Sequence, residues 1–567
     1  MEREKPWMRW WPEGVPLSIK YPTIPLYAFL ENSARKYPNR TAVIFYGRRI
    51  NYASLGEMAS RFANALLHLG VRKGDRVALV LPNIPQFIIS YYGTLMAGGV
   101  IVAINPLNEE GEMERELAES GAKVVVVLDR FLRKVEAVKD GTEVEAVIVA
   151  KGEAYLPWTL RLLSGLGGGR GPRGFPRVRT LVRRHPPLSQ GVQVDPKEDL
   201  AVIQYTGGTT GEPKGVMLTH YSLVANAIQV YHWLRGWGYC PKPQVRGHPV
   251  VLAAIPFFHI FGMTVAMNEV IHSGSTMVLL PEPEPGAMMR AIERYKVTHL
   301  PATPSLYRAI LSHPDLRKRD LRSLIYCVSG GDPIDAETVE RFREVAGVEF
   351  FEGYGLTEAG PVTHCTPQGC GKRGSIGIPL PDTEARIVDI PTGDVDVPAG
   401  EVGELVVRGP QVMRGYLGRP RETERVLREG WLYTGDVARM DEDGFFYIVD
   451  RKQDRIIARG HTIWPTRVEG VLRQHPAVEE AVVVGVADPL RCATDLRALV
   501  VLKEEYRGRV GPEELLRFCR ERLEDYLLPE EVEVVEDLPR TPLGKISRRA
   551  VRERLERGSS LRRRGST

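Results

Sequence analysis

The stretch Tyr205–Val216 reads YTGGTTGEPKGV and concentrates groups that handle anions. Gly207, Gly208, Gly211 and Gly215 leave backbone N–H groups open to close approach, because no Cβ stands in the way. Thr206, Thr209 and Thr210 add hydroxyl donors, and Lys214 adds a full positive charge. The combination suits a cradle for the β- and γ-phosphates of ATP. It is not a Walker A loop, in which the lysine is followed by Ser or Thr and opens a helix. Here Gly215 follows Lys214, and Val216-Met217-Leu218 reads as a strand.

Further short motifs follow in order. They are Pro256–Gly262 (PFFHIFG), Gly330–Pro333 (GGDP), Gly353–Glu358 (GYGLTE), Gly430–Asp436 (GWLYTGD), Asp450–Asp454 (DRKQD), Ile456–His461 (IIARGH) and Pro539–Lys545 (PRTPLGK). Each has a plain structural use when met alone. Thr357 with Glu358 behind it suits a helix N-terminus. Asp436 after a glycine suits a turn, and Lys545 suits a solvated surface.

Taken together, these motifs resemble the signatures of the adenylate-forming, AMP-binding enzymes: acyl-CoA synthetases, luciferases and the adenylation domains of peptide synthetases. The resemblance runs from about Pro25 to Arg549. It implies that Thr206–Gly211 and Lys214 hold phosphates, that Gly331 and Asp332 lie on the adenine loop, and that Tyr354 stacks on adenine beside Gly355. Thr357 would contact the α-phosphate, and Thr210 and Glu358 would hold Mg²⁺. The chemistry agrees, since an aromatic face suits a purine and a carboxylate oxygen suits a hard cation. Asp436 would accept the ribose hydroxyls, and Arg451 would reach the ribose or phosphate. Lys545 matches the lysine that neutralises charge between an attacking carboxylate and the α-phosphate. Gly460 and His461 resemble the loop lining a CoA channel. Gln453 takes the hinge position usually held by Lys or Asp, and Asp332 is a less usual occupant of its loop.

The implied activity is two-step, ATP-dependent formation of an acyl-CoA through an acyl-adenylate. ATP, CoA and Mg²⁺ are its co-substrates and metal. The approach to the phosphate loop and the Tyr155-Leu156-Pro157-Trp158 insertion most resemble long-chain fatty acid:CoA ligases. Residues expected near the acyl pocket are Val230, Trp233, Ala302 and Gly330, with His259 serving either as its gate or as a core histidine. An aryl- or short-chain acid:CoA ligase is the nearest alternative, and a non-catalytic acyl- or nucleotide-binding relative is another. Intact Thr210, Glu358, Asp436, Arg451 and Lys545 weigh against the latter.

The elements that must position these groups follow from periodicity. Arg76–Leu81, Lys123–Leu128, Val250–Ile255, Thr276–Leu280 and Leu324–Val328 are continuous apolar runs. Helical stretches separate them, as in parallel sheets covered on both faces. Phe62, Ala63, Leu66 and Leu67 share a helical face ended by Gly70. Residues 385–450 switch to short strands and frequent glycines. The expected fold is α/β, with a large N-terminal domain of parallel-type sheets and helices (1–449) carrying a β-rich subdomain. A hinge (450–454), a small mobile α+β lid (455–547) and a basic tail (548–567) complete it.

A chain of 567 residues exceeds one core. Six cysteines are sparse, and Cys365 and Cys370, the closest pair, have no second pair at zinc spacing, so buried thiols in a reducing compartment are expected. No apolar run spans a bilayer and no signal-peptide core follows Met1, so a cytoplasmic protein is expected. The net charge of +5 is uneven. Residues 154–194 hold seven arginines and no acid, and 548–567 hold eight arginines against two glutamates. Peripheral contact with anionic membrane through 155–184 is therefore entertained. No nucleic-acid platform is present. A homodimer is compatible with the sequence.

Overall fold

The computed structural model describes residues 5–157, 174–206, 212–235, 248–458, 461–488, 493–540 and 546–564. Among them, seven strands form one sheet in the order Gly415–Tyr416, Gly215–Thr219, Leu200–Tyr205, Val100–Ala103, Arg76–Val80, Ala122–Leu128, Ala146–Ala150. The five from Leu200–Tyr205 onward run parallel. Their apolar runs are buried almost without interruption, as a sheet covered on both faces requires.

A nine-stranded sheet runs in the order Ile378–Pro379, Val362–Cys365, Glu349–Gly355, Tyr326–Gly330, His299–Ala302, Val250–Ala253, Thr276–Leu279, Thr41–Phe45, Arg48–Asn51. Helix Tyr52–His68 starts where Asn51 Oδ1 accepts the Ser54 N–H at 2.8 Å. It buries Phe62, Ala63 and Leu66 and ends just before Gly70, whose φ of 90° needs a residue without Cβ. Helix Pro85–Met96 is buried on every side between the layers.

Strands Glu384–Val388, Val402–Arg408 and Trp431–Met440 form an antiparallel unit, with Phe446–Arg451 also paired to Trp431–Met440. Beyond it, Val478–Asp488, Ala493–Leu502 and Glu531–Val535 make a three-stranded sheet covered by Pro465–Leu472 and Pro512–Arg520. The expected α/β class, with a β-rich subdomain and a smaller α+β C-terminal part, is the one observed.

The basic tail is more ordered than its composition suggests. Residues Arg548–Arg564 form a helix that buries Val551 and Leu555 against Val482 and Val484. Burying each such side chain stabilises by roughly 1.5–3 kcal/mol, enough to dock a charged segment. No helix of the described residues is long and apolar enough to cross a membrane. Cys327, Cys365 and Cys519 are buried and outside any disulfide, whereas Cys370 is exposed.

Candidate active site

A cavity of about 570 Å³ opens where the two large sheets and the antiparallel unit meet. Strand Leu200–Tyr205 delivers Thr206 to its rim, and strand Gly215–Thr219 carries the chain away. Thr206 and Lys214 close the intervening loop on each other. The Thr206 N–H donates to the Lys214 carbonyl at 3.0 Å, and the Lys214 N–H donates to Thr206 Oγ1 at 3.1 Å. Gly207, Gly208, Thr209, Thr210 and Gly211 lie outside the described residues, as do Gly460 and Lys545.

The Lys214 ammonium sits 2.5 Å from Glu422 and 4.9 Å from the centre of the Tyr416 ring. Tyr416 in turn donates its hydroxyl to Glu358 Oε1 at 2.8 Å. Burial and the Glu358 charge hold that phenol well above its usual range, so it remains a donor. Glu358 keeps its second oxygen for another ligand. One carboxylate beside bound phosphates fits Mg²⁺, which keeps several waters rather than an all-protein cage. No cluster of three metal-binding side chains occurs among the described residues.

Strand Glu349–Gly355 presents Tyr354 to the cavity and then turns sharply. A Cβ on Gly355 would lie 2.0 Å from the Pro361 carbonyl oxygen, so only glycine admits the turn. The single helical turn Thr357–Ala359 follows and points Thr357 and Glu358 at the same space. The Tyr354 hydroxyl donates to Asp436 Oδ2. Arg451 Nε reaches the other oxygen, Asp436 Oδ1, at 2.8 Å. Asp436 is buried, and its charge holds Arg451 above the ordinary arginine range.

One wall is apolar. Val230, Trp233, Val328, Cys365 and Leu380 line it, and His259, half-buried, lines the same cavity. Gly330 keeps this part open, because a Cβ there would lie 3.2 Å from the Phe261 ring and from the Gly353 carbonyl. Trp233 is 1% exposed, and its indole interacts with the Cys365 thiol. Burial raises the Cys365 thiol to about 12, so it behaves as an apolar wall atom.

The cavity thus gathers Thr206, Lys214, Gly331, Tyr354, Gly355, Thr357, Glu358, Arg451, Gln453, His259, Val230, Trp233 and Gly330. Asp436 backs it through Arg451 and Tyr354. Ala302, expected near the acyl pocket, is fully buried in the core at the end of strand His299–Ala302 and is not among the residues lining the cavity. Asp332 is exposed beside the lining Gly331 but is not itself a wall residue. His461 lies away from the cavity, stacked on Tyr526 with centroids 4.2 Å apart.

Motif reading missed Tyr416, Glu422 and Glu404. Glu404, buried, holds Lys452 of the hinge segment at 2.5 Å. It also missed the clasp beyond the hinge, where Thr466 donates to Asp450 Oδ2 through its N–H at 3.0 Å and its hydroxyl at 2.9 Å. Arg548 lies 3.4 Å from Asp454 there and also pairs with Glu469.

The family described as AMP-binding enzyme matches residues 30–417, and the AMP-binding enzyme C-terminal domain matches 467–545. The chain belongs to the AMP-binding enzyme family. A long-chain-fatty-acid–CoA ligase of Bacillus subtilis (strain 168) is 41% identical over 562 residues, 98% of each chain. Among solved AMP-binding enzymes, ATP-bound MatB from Rhodopseudomonas palustris superposes with a TM-score of 0.81 at 26% identity, covering 94% of this chain and 99% of that one. A long-chain-fatty-acid–CoA ligase from Archaeoglobus fulgidus gives 0.69 at 28% identity, covering 92% and 99%. The resemblance to the adenylate-forming enzymes is borne out.

Proposed function

We propose that the protein is an AMP-forming fatty acid:CoA ligase, joining a long- or medium-chain fatty acid to CoA at the expense of ATP. The observation that supports this most is the single cavity with two ends. One end carries the phosphate- and nucleotide-type groups Lys214, Tyr354, Thr357, Glu358 and Arg451, and the other is the apolar wall from Val230 to Leu380. A long acyl chain needs the second end, and its carboxylate needs the first.

In the first step a carboxylate oxygen attacks the α-phosphorus of ATP, and the bond to pyrophosphate breaks to give acyl-AMP. Lys214, the Thr206–Gly211 loop and Lys545 would offset the converging negative charge. Mg²⁺, held by Glu358 and Thr210, would supply Lewis-acid neutralisation of the phosphates. Tyr354 would offer its ring face to adenine. Asp436 would exchange its bonds to Tyr354 and Arg451 for ribose hydroxyls, with Arg451 remaining nearby as the counter-charge. In the second step the CoA sulfur attacks the acyl carbonyl, and AMP and a proton leave.

Rotation of 455–547 about 450–454 relative to 1–449 would replace Lys545 by the Gly460–His461 loop. The neutral, exposed Gln453 leaves that pivot without a latch of its own, while Lys452–Glu404 and Arg548–Asp454 flank it. Localisation in the cytoplasm, peripheral membrane contact through 155–184 and a homodimer belong to the same proposal. Trp158 and the segment to Arg173 lie outside the described residues.

The deciding experiment incubates the protein with Mg·ATP, CoA and carboxylic acids from acetate to oleate, plus benzoate. Acyl-CoA is detected by mass spectrometry, and AMP and ADP are quantified. AMP with a long- or medium-chain thioester is expected. Turnover confined to acetate or benzoate would replace this reading with the short-chain or aryl alternative. No AMP with any acid would overturn it.

A further inference from the structure

A second cleft, of about 560 Å³, lies at the far edge of the nine-stranded sheet from the Tyr354 strand. Its walls come from the edge strand Arg48–Asn51, the first turns of helix Tyr52–His68, Tyr155, and the short helix Val178–Arg184. Five arginines line it, Arg48, Arg49, Arg61, Arg179 and Arg183, against one carboxylate, Glu57.

That carboxylate is already committed. Arg61 reaches Glu57 Oε1 through Nε at 2.9 Å and Nη2 at 2.8 Å, and its Nη1 donates to the His185 carbonyl at 2.9 Å. Arg48 lies 5.4 Å from the centre of the Tyr155 ring. Tyr155 is buried in the floor, with its hydroxyl 3.5 Å from Met58 Sδ. The charges of both Arg48 and Arg179 act on that phenol. Arg49 and Arg183 are exposed, and their side chains make no hydrogen bond or ion pair among the described residues.

Five positive charges along one cleft with a single carboxylate favour a counter-ion that joins them. Guanidinium forks match phosphate oxygens bidentately, and several around one cleft suit an anion of more than one charge or oxygen. We propose that this cleft binds a phosphate-ester anion, with the headgroup of an anionic phospholipid as its source. The hairpin that supplies Arg48 and Arg49 carries Tyr46 at its tip, 51% exposed, an aromatic placed as interfacial side chains are. The cleft shares Tyr155, Arg179 and Arg183 with the segment 155–184 proposed above for peripheral membrane contact, so the inference rests on and deepens that part of the reading, while none of its residues lines the cavity of the ligase site.

The test compares wild type with Arg49→Glu/Arg183→Glu. Co-sedimentation is measured with vesicles of phosphatidylcholine alone and of phosphatidylcholine with phosphatidylglycerol. In parallel, the melting temperature is followed against glycerol phosphate. Wild type is expected on the anionic vesicles only, with binding falling as salt rises, and the double variant is expected to bind them on the order of tenfold or more weakly. An unchanged melting temperature without ligand reports an intact fold, and Arg49→Gln/Arg183→Gln serves if the reversal disturbs it. Stabilisation by glycerol phosphate that is lost in the variant, without vesicle binding, would make a soluble phosphate ester the occupant. Wild type that responds to neither probe, or a variant that binds as wild type does, would overturn the site.

Discussion

The indole of Trp11 meets that of Trp233 edge to face, with ring centroids 5.6 Å apart and planes at 87°. Trp11 is fixed by its own N–H, which donates to the Val15 carbonyl at 2.9 Å. Its neighbours Trp7 and Trp10 pack on Phe446 and Phe445, each pair at 5.8 Å. Phe446 also touches His364, which touches the Tyr354 ring. The N-terminal segment is thus a brace between the apolar wall of the cavity and the strand that carries Tyr354.

Trp233→Ala should shift the kcat/KM profile toward longer or bulkier acids. Trp11→Ala should shift it in the same direction by less, since an edge-to-face pair contributes roughly 0.5–1.5 kcal/mol, at most about tenfold in discrimination. Chain-length profiles of both variants that coincide with wild type would remove this wall from the acyl site.

Asp436→Asn keeps the shape but removes the charge facing Arg451 at 2.8 Å. A hydrogen bond to a charged group contributes about 1.5–3 kcal/mol. The kcat/KM for ATP should therefore fall by about ten- to a hundredfold, with little change in the KM for the acid. Steady-state kinetics in each substrate separates the two, and an unchanged ATP dependence would exclude Asp436 from the ribose site.

Tyr416→Phe deletes the donor that orients Glu358. Groups that position a metal ligand typically matter by 10–100-fold in metal affinity, so the Mg²⁺ midpoint should rise by roughly tenfold or more. Direct titration of Mn²⁺ into the ATP-loaded protein checks this without relying on turnover. Equal midpoints would leave the Tyr416–Glu358 bond a packing feature.

Lys545→Ala should cripple acyl-AMP formation while largely sparing thioester formation from supplied acyl-AMP. Separate assays of the two half-reactions decide it. Equal loss in both would refute the assigned role.

Burial raises the carboxyl of Glu116 to about 8 from an ordinary 4.5, with Asn108 Nδ2 its donor at 3.2 Å. The folded state then keeps a proton that the unfolded chain releases. Its stabilising contribution is full below about pH 4.5 and is lost as pH rises through about 8. Glu352, raised to about 7 by burial, has the same sign. Glu116→Gln should flatten the fall in melting temperature between about pH 5 and pH 8, a difference on the order of a few kcal/mol in stability. A variant whose melting temperature falls as steeply as wild type would mean that Glu116 ionises freely in the folded protein.

Much of the architecture is legible in the residues themselves. Arg76–Val80 and Ala122–Leu128 read as buried strands because every position is apolar or nearly so, and a parallel sheet between helices leaves no wet face. The end of helix Tyr52–His68 before Gly70 likewise follows from backbone sterics local to that position. The ordered motifs identify the family because adenylate chemistry demands those groups at those places.

What only the tertiary structure decides are contacts between segments that no local pattern relates. Tyr416 reaches Glu358 because the two-residue strand Gly415–Tyr416 adds itself to the edge beside Gly215–Thr219. Trp11 reaches Trp233 because the N-terminal segment folds back over the sheets. Ala302 sits in the buried core at the end of its strand, paired to Ser329, and is not among the residues lining the cavity, although its place in the sequence suggested otherwise. The arginines of 177–184 stand out as a charge run, but their convergence with Arg48, Arg49 and Arg61 depends on an edge strand and a helix distant in the chain. Periodicity and motif chemistry act over a few residues and are written locally, whereas the clefts and braces are set by the packing of whole layers.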